Sequence, residues 1–129
     1  MMPFQWKFPI LNWRVVDGDT LHVMLDQGMN NRWVGYVRLE GIDTPELKIN
    51  EQKASAEVAK KSLHKMMNQC KNPWIDSSEF DKYGRVLGYV RAENLPESTI
   101  NQMMLDEGKA KAYTGNKRSW TPEELEAIK

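Results

Sequence analysis

Arg38-Leu39-Glu40-Gly41-Ile42-Asp43-Thr44-Pro45-Glu46 decides how the rest of this 129-residue chain is read. Val34, Tyr36, Val37, Leu39 and Ile42 mark it as the end of a β-rich run. Thr44-Pro45 stops that run, because proline cannot donate to a ladder and restrains the residue before it. Arg38, Asp43 and Glu46 therefore stand where a strand runs out into a turn, and side chains there converge on a point without filling a core.

Two other stretches look built to meet this one. Upstream, Val15-Val16-Asp17-Gly18-Asp19-Thr20-Leu21-His22-Val23 is a pair of apolar or β-branched runs joined across Asp-Gly, a turn signal that exposes Asp19. Downstream, Asp81-Lys82-Tyr83-Gly84-Arg85 is a polar turn between extended runs. Asp19, Arg38, Asp43, Glu46 and Arg85 at three strand ends are the parts of a metal-assisted phosphate site.

Periodicity orders the elements around these turns. Phe8 to Val16, Leu21 to Leu25 and Arg32 to Ile42 read as three strands joined by short turns, a meander. From Gln52 to Cys70 the period changes: Ala56, Ala59, Leu63, Met66, Met67 and Cys70 recur at steps of three and four, predicting an amphipathic helix that packs on the open end of the sheet. Trp74 to Phe80 and Arg85 to Ala92 are two further strands, and Glu97 to Glu107 a second helix with Gly108 as its cap. Thr121-Pro122-Glu123-Glu124 is a capping box with proline at the first helical position, so a last short helix starts there. Three strands, a helix and two strands is the order of the OB-fold, a five-stranded Greek-key barrel. The expected class is α+β: this barrel, with the helix between strands 3 and 4 and C-terminal helices.

Length and composition fit one domain spanning residues 1–129, and no run approaches the roughly 18 apolar residues of a membrane span. Met1 to Leu11 is interrupted by Gln5, Lys7 and Pro9 and shows no cleavage site, so the expected location is cytoplasmic, or secreted if a leader has been removed. The lone Cys70 excludes an intramolecular disulfide and is expected to be buried among Met66 and Met67. Formal net charge is zero, yet residues 48–71 hold six lysines against Glu51 and Glu57, an excess of four positive charges. A solvated helix face and a phosphate-facing patch explain that equally well. Trp120 and Lys117-Arg118 extend the binding surface on one reading and form an exposed basic turn on the other.

Asp17-Gly18-Asp19-Thr20, the spacing from Arg38 to Asp43-Thr44-Pro45-Glu46, and Asp81-Lys82-Tyr83-Gly84-Arg85 together resemble the staphylococcal nuclease (thermonuclease) family, in that family's order, from Val15 to Tyr113. The resemblance implies the barrel with extra C-terminal helices and a Ca²⁺-dependent nuclease acting on DNA, RNA or both with low sequence specificity. It also implies cleavage of the P–O5′ bond to leave 3′-phosphates.

The chemistry of the residues runs the same way. Hard cations take carboxylate and carbonyl oxygens, which suits Asp19 and Asp43, and the resemblance adds the Thr44 backbone carbonyl. Arg38 and Arg85 carry planar forks that match phosphate oxygens and are expected to grip the scissile phosphate from two sides. Glu46 is expected to orient or deprotonate the attacking water. By resemblance Lys82 and Tyr83 touch the neighbouring phosphate, and Tyr113 stacks on a base. Two departures from the type enzyme stand out: its second tyrosine is Gly115 here, and the segment between Glu46 and the first helix is shorter.

Singly, each motif has an ordinary explanation, as a turn, an Arg38–Glu40 pair or a hairpin loop; jointly they point to a catalytic site in a monomer that binds nucleic acid and no membrane. An apolar strand before Asp-x-Asp is also similar to haloacid-dehalogenase phosphotransferases. Here, however, Asp19 precedes Thr20-Leu21, and the chain lacks the room and pattern for a parallel α/β sheet. The alternative from another class is a non-catalytic OB module binding nucleic acid or a protein partner. His22, in a strand, and His64, on the solvated helix face, are assigned no catalytic part.

Overall fold

In the computed structural model, which describes residues 6–113 and 119–128, the sequence periods become a closed five-stranded barrel capped by a helix. Strands β1 (Trp6–Asp17), β2 (Thr20–Asp26) and β3 (Arg32–Leu39) form the meander, with Val15 opposite Leu21 and Leu21 opposite Val37. Strands β4 (Ile42–Asp43), β5 (Trp74–Phe80) and β6 (Val86–Arg91) follow, α1 (Lys53–Gln69) separating β4 from β5. The barrel closes in the order β1-β2-β3-β6-β5; every pairing is antiparallel except β3 with β6, where Val37 lies beside Val86 and Arg38 beside Leu87.

The core is what the alternation foretold. Leu21, Val23 and Leu25 of β2, Val37 and Leu39 of β3, Ile75 of β5 and Val86 and Val90 of β6 point inward, and α1 adds Ala59, Leu63, Met66 and Met67. Burying a side chain of this size contributes about 1.5–3 kcal/mol, so α1 is held by that face rather than by its helix propensity. Among the described residues no helix is long and apolar enough to cross a membrane.

Three expectations need correcting. The strand expected over Arg32 to Ile42 is two pieces: β3 ends at Leu39, Gly41 turns with φ of +83°, and β4 then pairs with β7 (Lys111–Ala112) instead of with the barrel. Only glycine takes that φ without strain, so the break is written into Gly41. The second helix, α2 (Ile100–Asp106), starts later than Glu97, because Thr99 stays extended and its side chain accepts the Gln102 N–H as an N-cap. Cys70 is half-buried beyond the end of α1, its thiol donating to the Met66 carbonyl, and burial pushes its pKa up. Gly108 closes α2 with φ of +71°, and α3 (Pro122–Ala127) begins with the full Thr121–Glu124 capping box. Lys117 and Arg118 lie outside the described residues.

Candidate metal and phosphate site

The site grows from a two-residue turn. β1 ends at Asp17 and β2 starts at Thr20, so Gly18-Asp19 must double the chain back. A Cβ on Gly18 would lie 2.8 Å from the Ala59 Cβ of α1 and 2.9 Å from the Thr44 hydroxyl oxygen, so glycine is what lets the helix and the Thr44 segment close on this turn. Asp19 then stitches three segments together. Its carbonyl accepts the Leu39 N–H at 2.8 Å, its Oδ1 accepts the Thr20 hydroxyl at 2.9 Å, and its Oδ2 accepts the Thr44 N–H at 3.2 Å.

Arg38 enters from β3, opposite Thr20. Val37 and Leu39 on either side are in the core, so alternation sends Arg38 out of the barrel, into the space between the Asp19 turn and β4. Its Nη1 lies 3.4 Å from Asp19 Oδ2 and donates to the Leu39 carbonyl at 3.0 Å, while its Nη2 lies 3.7 Å from Asp43 Oδ1. All three charged groups are buried, against the expectation that the turn exposes Asp19, because α1 and the Thr44 segment close on that turn: Asp19 is 3% exposed, Arg38 5% and Asp43 0%. Charges so far from water persist only when paired, and here one guanidinium serves both carboxylates. Tyr113, whose N–H donates to the Gly41 carbonyl at 2.9 Å, sets its ring 5.7 Å from the Arg38 guanidinium carbon.

Asp43 has a partner that sequence reading did not assign to it. The Trp120 Nε1 donates to Asp43 Oδ2 at 3.0 Å, across 77 residues of chain. Lys111, opposite Asp43 in the β4–β7 ladder, places its ammonium 4.4 Å from the Trp120 ring centre, donates to the Ser119 carbonyl, and pairs with Glu124 at 3.2 Å. Trp120 immediately precedes the capping box that starts α3, and no pattern near it in the sequence signals the bond to Asp43.

Lys82, Tyr83 and Arg85 form a second cluster in the β5–β6 turn, organised by Asp81. Asp81 Oδ1 accepts the N–H groups of Tyr83 and Arg85, both at 2.9 Å, and Oδ2 accepts from Arg85 Nε at 2.7 Å. Burial alone would raise the Asp81 carboxyl, but the Arg85 and Tyr83 N–H groups and the Arg85 side chain outweigh it and hold the carboxyl below its ordinary range. The exposed Tyr83 ring lies 5.5 Å from the Arg85 guanidinium carbon and 5.2 Å from Lys82 Nζ. Arg85 stands two residues before Leu87, which lies beside Arg38 in the β3–β6 ladder.

Asp19, Arg38, Asp43 and Thr44 are thus in mutual contact, with Tyr113 at their edge. Arg85 reaches toward Asp81 rather than toward this cluster. Glu46 follows Pro45 out of it, half-buried, its backbone N–H donating to the Gln52 side chain at 2.8 Å. Among the described residues no three His, Cys, Asp or Glu side chains gather as a metal cage. The cluster does offer the Asp19 and Asp43 carboxylates, hard oxygens of the kind Ca²⁺ accepts.

A family model for staphylococcal nuclease homologues matches residues 36–129, which include Arg38, Asp43, Glu46 and Arg85 but not Asp19. The chain is 33% identical to the Protein ParB of Escherichia coli over 118 residues, 87% of this chain and 61% of that protein. It is 35% identical to the Thermonuclease of Staphylococcus hyicus over 102 residues, 77% of this chain and 56% of that protein. The chain therefore spans less than two thirds of the length of either relative.

Proposed function

The chain belongs to the staphylococcal nuclease family, and on that premise we propose that it hydrolyses phosphodiester bonds of DNA, RNA or both, with little sequence specificity and with Ca²⁺ as cofactor. The observation that carries this reading is the guanidinium of Arg38 lying 3.4 and 3.7 Å from two buried aspartates. A fixed cation between two acids suits a site that must receive a metal ion and a phosphate side by side.

The Asp19 and Asp43 carboxylates and the Thr44 carbonyl would hold the ion. When bound, the ion supplies charge neutralisation and Lewis acidity. The remaining work falls to this chain's side chains. Arg38, anchored by its bond to the Leu39 carbonyl, presents donors to a non-bridging phosphate oxygen. Arg85 leaves Asp81 for the same phosphate, an exchange its partial exposure permits, and the two forks take up the charge that builds as water adds. Glu46 orients the water and accepts its proton while the new P–O bond forms and the P–O5′ bond breaks. The departing 5′-oxygen takes its proton from solvent and the product keeps a 3′-phosphate. Lys82 and Tyr83 hold the neighbouring phosphate, and Tyr113 stacks on a base.

Incubation with single- and double-stranded DNA and RNA, in Ca²⁺ and then in EDTA, tests the reading. Cleavage is expected in Ca²⁺ only, and is expected to be lost in Asp43→Ala and Arg85→Ala. Binding without cleavage under every divalent ion would instead identify a non-catalytic OB module.

A further inference from the structure

The lysine excess on α1 has a structural context that the site above does not use. Between β1 and α1 runs a groove of about 560 Å³, walled by Trp13 and Arg14 on the strand side and by Glu57, Lys60, Lys61 and His64 on the helix side. Arg14 and Lys61 are exposed and Lys60 is half-buried, so three cations face this groove against one carboxylate. The Trp13 and His64 rings meet edge to face at 5.3 Å within its wall. Basic side chains interleaved with aromatic faces are what an unpaired polynucleotide strand recognises: phosphates meet the charges, and bases stack on rings whatever their sequence.

The groove is also connected to the Arg38 site along the outside of the barrel. Arg14 lies opposite His22, and His22 opposite Tyr36. The His22 and Tyr36 rings touch edge to face at 4.9 Å, and Tyr36 is 46% exposed. Tyr36 and Arg38 are two residues apart on the same outward face of β3, since Val37 between them is in the core. Two strand spacings and one two-residue step put the Arg14 and Arg38 backbones on the order of 12 Å apart. A second depression, of about 250 Å³, shares Trp13 and Arg14 with the groove and reaches His22 and Val34.

We propose that this groove, continued by the Arg14–His22–Tyr36 row, is a binding track for an unpaired DNA or RNA strand whose phosphodiester is cut at the Arg38 site. The inference rests on the nuclease reading for the identity of the strand, but its residues lie outside the catalytic cluster and can be tested apart from it.

The experiment is fluorescence anisotropy of labelled oligothymidylate and oligouridylate, and of a duplex of equal length, in EDTA so that nothing is cut, across a range of salt. Lys60→Ala and Lys61→Ala are each expected to weaken strand binding and to reduce the slope of log K against log salt by about 0.7, the value for one phosphate contact on a single strand. Lys7→Ala, on an exposed position of β1 outside the groove, is the control and is expected to leave the slope alone. Melting temperatures, expected to match wild type, separate a lost contact from a lost fold; Trp13 packs partly on the core, so the lysine variants carry the test. Binding of either oligomer supports the track, and the tighter one names the sugar. Unchanged slopes in both lysine variants, an equal drop in Lys7→Ala, or duplex bound as tightly as single strand would overturn it. A parallel Ca²⁺ cleavage assay keeps the two ideas apart: normal slopes for the lysine variants with cleavage intact sink the track alone, and lysine-dependent binding with no cleavage sinks the nuclease reading alone.

Discussion

Arg38 does two jobs that a single substitution separates. Its charge stands between Asp19 and Asp43, and under the nuclease reading its fork also receives a phosphate. Arg38→Met keeps much of the volume and leaves two buried carboxylates with no cation between them, so a loss of about 3 kcal/mol is expected in urea unfolding without divalent ions. Arg38→Lys restores a point charge but not the fork. It is expected to recover part of that stability while its cleavage rate stays about 10²-fold or more below wild type. Equal stability of wild type and Arg38→Met would show that the acids do not need the guanidinium. Asp81 yields a pH dependence whose sign is set by its partners. Its carboxyl is held below the ordinary range in the folded chain, so the stability it contributes is present above the unfolded value of about 4 and is lost as pH falls through the folded value. The side-chain carbon of Asp81 is therefore expected to titrate below pH 4 by NMR, with the Tyr83 and Arg85 amide signals moving in step. A midpoint above 4 would contradict the three hydrogen bonds it accepts.

At the scale of elements, what the sequence revealed was local and what it hid was distant. The Thr121–Glu124 box announces α3 because both partners sit within one turn, and the step-of-three pattern announces α1 because burial follows the helical period. The interruption at Gly41 was missed although it leaves a trace: Leu39 and Ile42 are both buried but three residues apart, which one unbroken strand cannot put on the same face, and the φ of +83° at Gly41 is where the phase slips. The Trp120–Asp43 bond was hidden, because nothing in either residue's neighbourhood specifies a partner 77 residues away. That bond joins α3 to the proposed metal ligands. Trp120→Phe keeps an aromatic ring beside Lys111 and removes the N–H together with the indole's five-membered ring. Under the calcium reading it is expected to weaken Ca²⁺ about tenfold by calorimetry, within the range for losing a ligand's outer hydrogen bond. Unaltered affinity would reduce Trp120 to packing. Gly18→Ala probes the opposite side of the site: a methyl group 2.8 Å from Ala59 Cβ must push α1 off the Asp19 turn, an overpacking expected to cost about 1–3 kcal/mol of unfolding free energy.

Over the whole molecule, zero net charge conceals an uneven distribution: acids and one arginine are buried at the mouth of the turns, while lysines and Arg14 line the β1–α1 groove. Composition reports only the sum, which is why overall charge gave no sign of a polyanion. The barrel itself was legible from the change of period between strands and helix, but its closure was not. The parallel β3–β6 pairing joins residues some fifty positions apart, and no short-range pattern encodes it. That pairing sets β3, which carries Arg38, beside β6, which follows Arg85, while the turn between β1 and β2 brings Asp19 to Arg38, so the Arg38 and Arg85 segments come side by side only when the barrel is closed. A ligand bound there binds the folded chain and not the unfolded one, and its binding free energy adds to the stability of the whole barrel. Ca²⁺ at a hundredfold excess over its Kd is accordingly expected to stabilise the protein by about 2.7 kcal/mol, a rise of roughly 10 °C in Tm. The shift is expected to disappear in Asp43→Ala, whose own melting in EDTA gives the cost of the substitution separately. If Ca²⁺ left the wild-type Tm where EDTA puts it, or raised that of Asp43→Ala by as much, the two aspartates would be holding Arg38 in place and no metal.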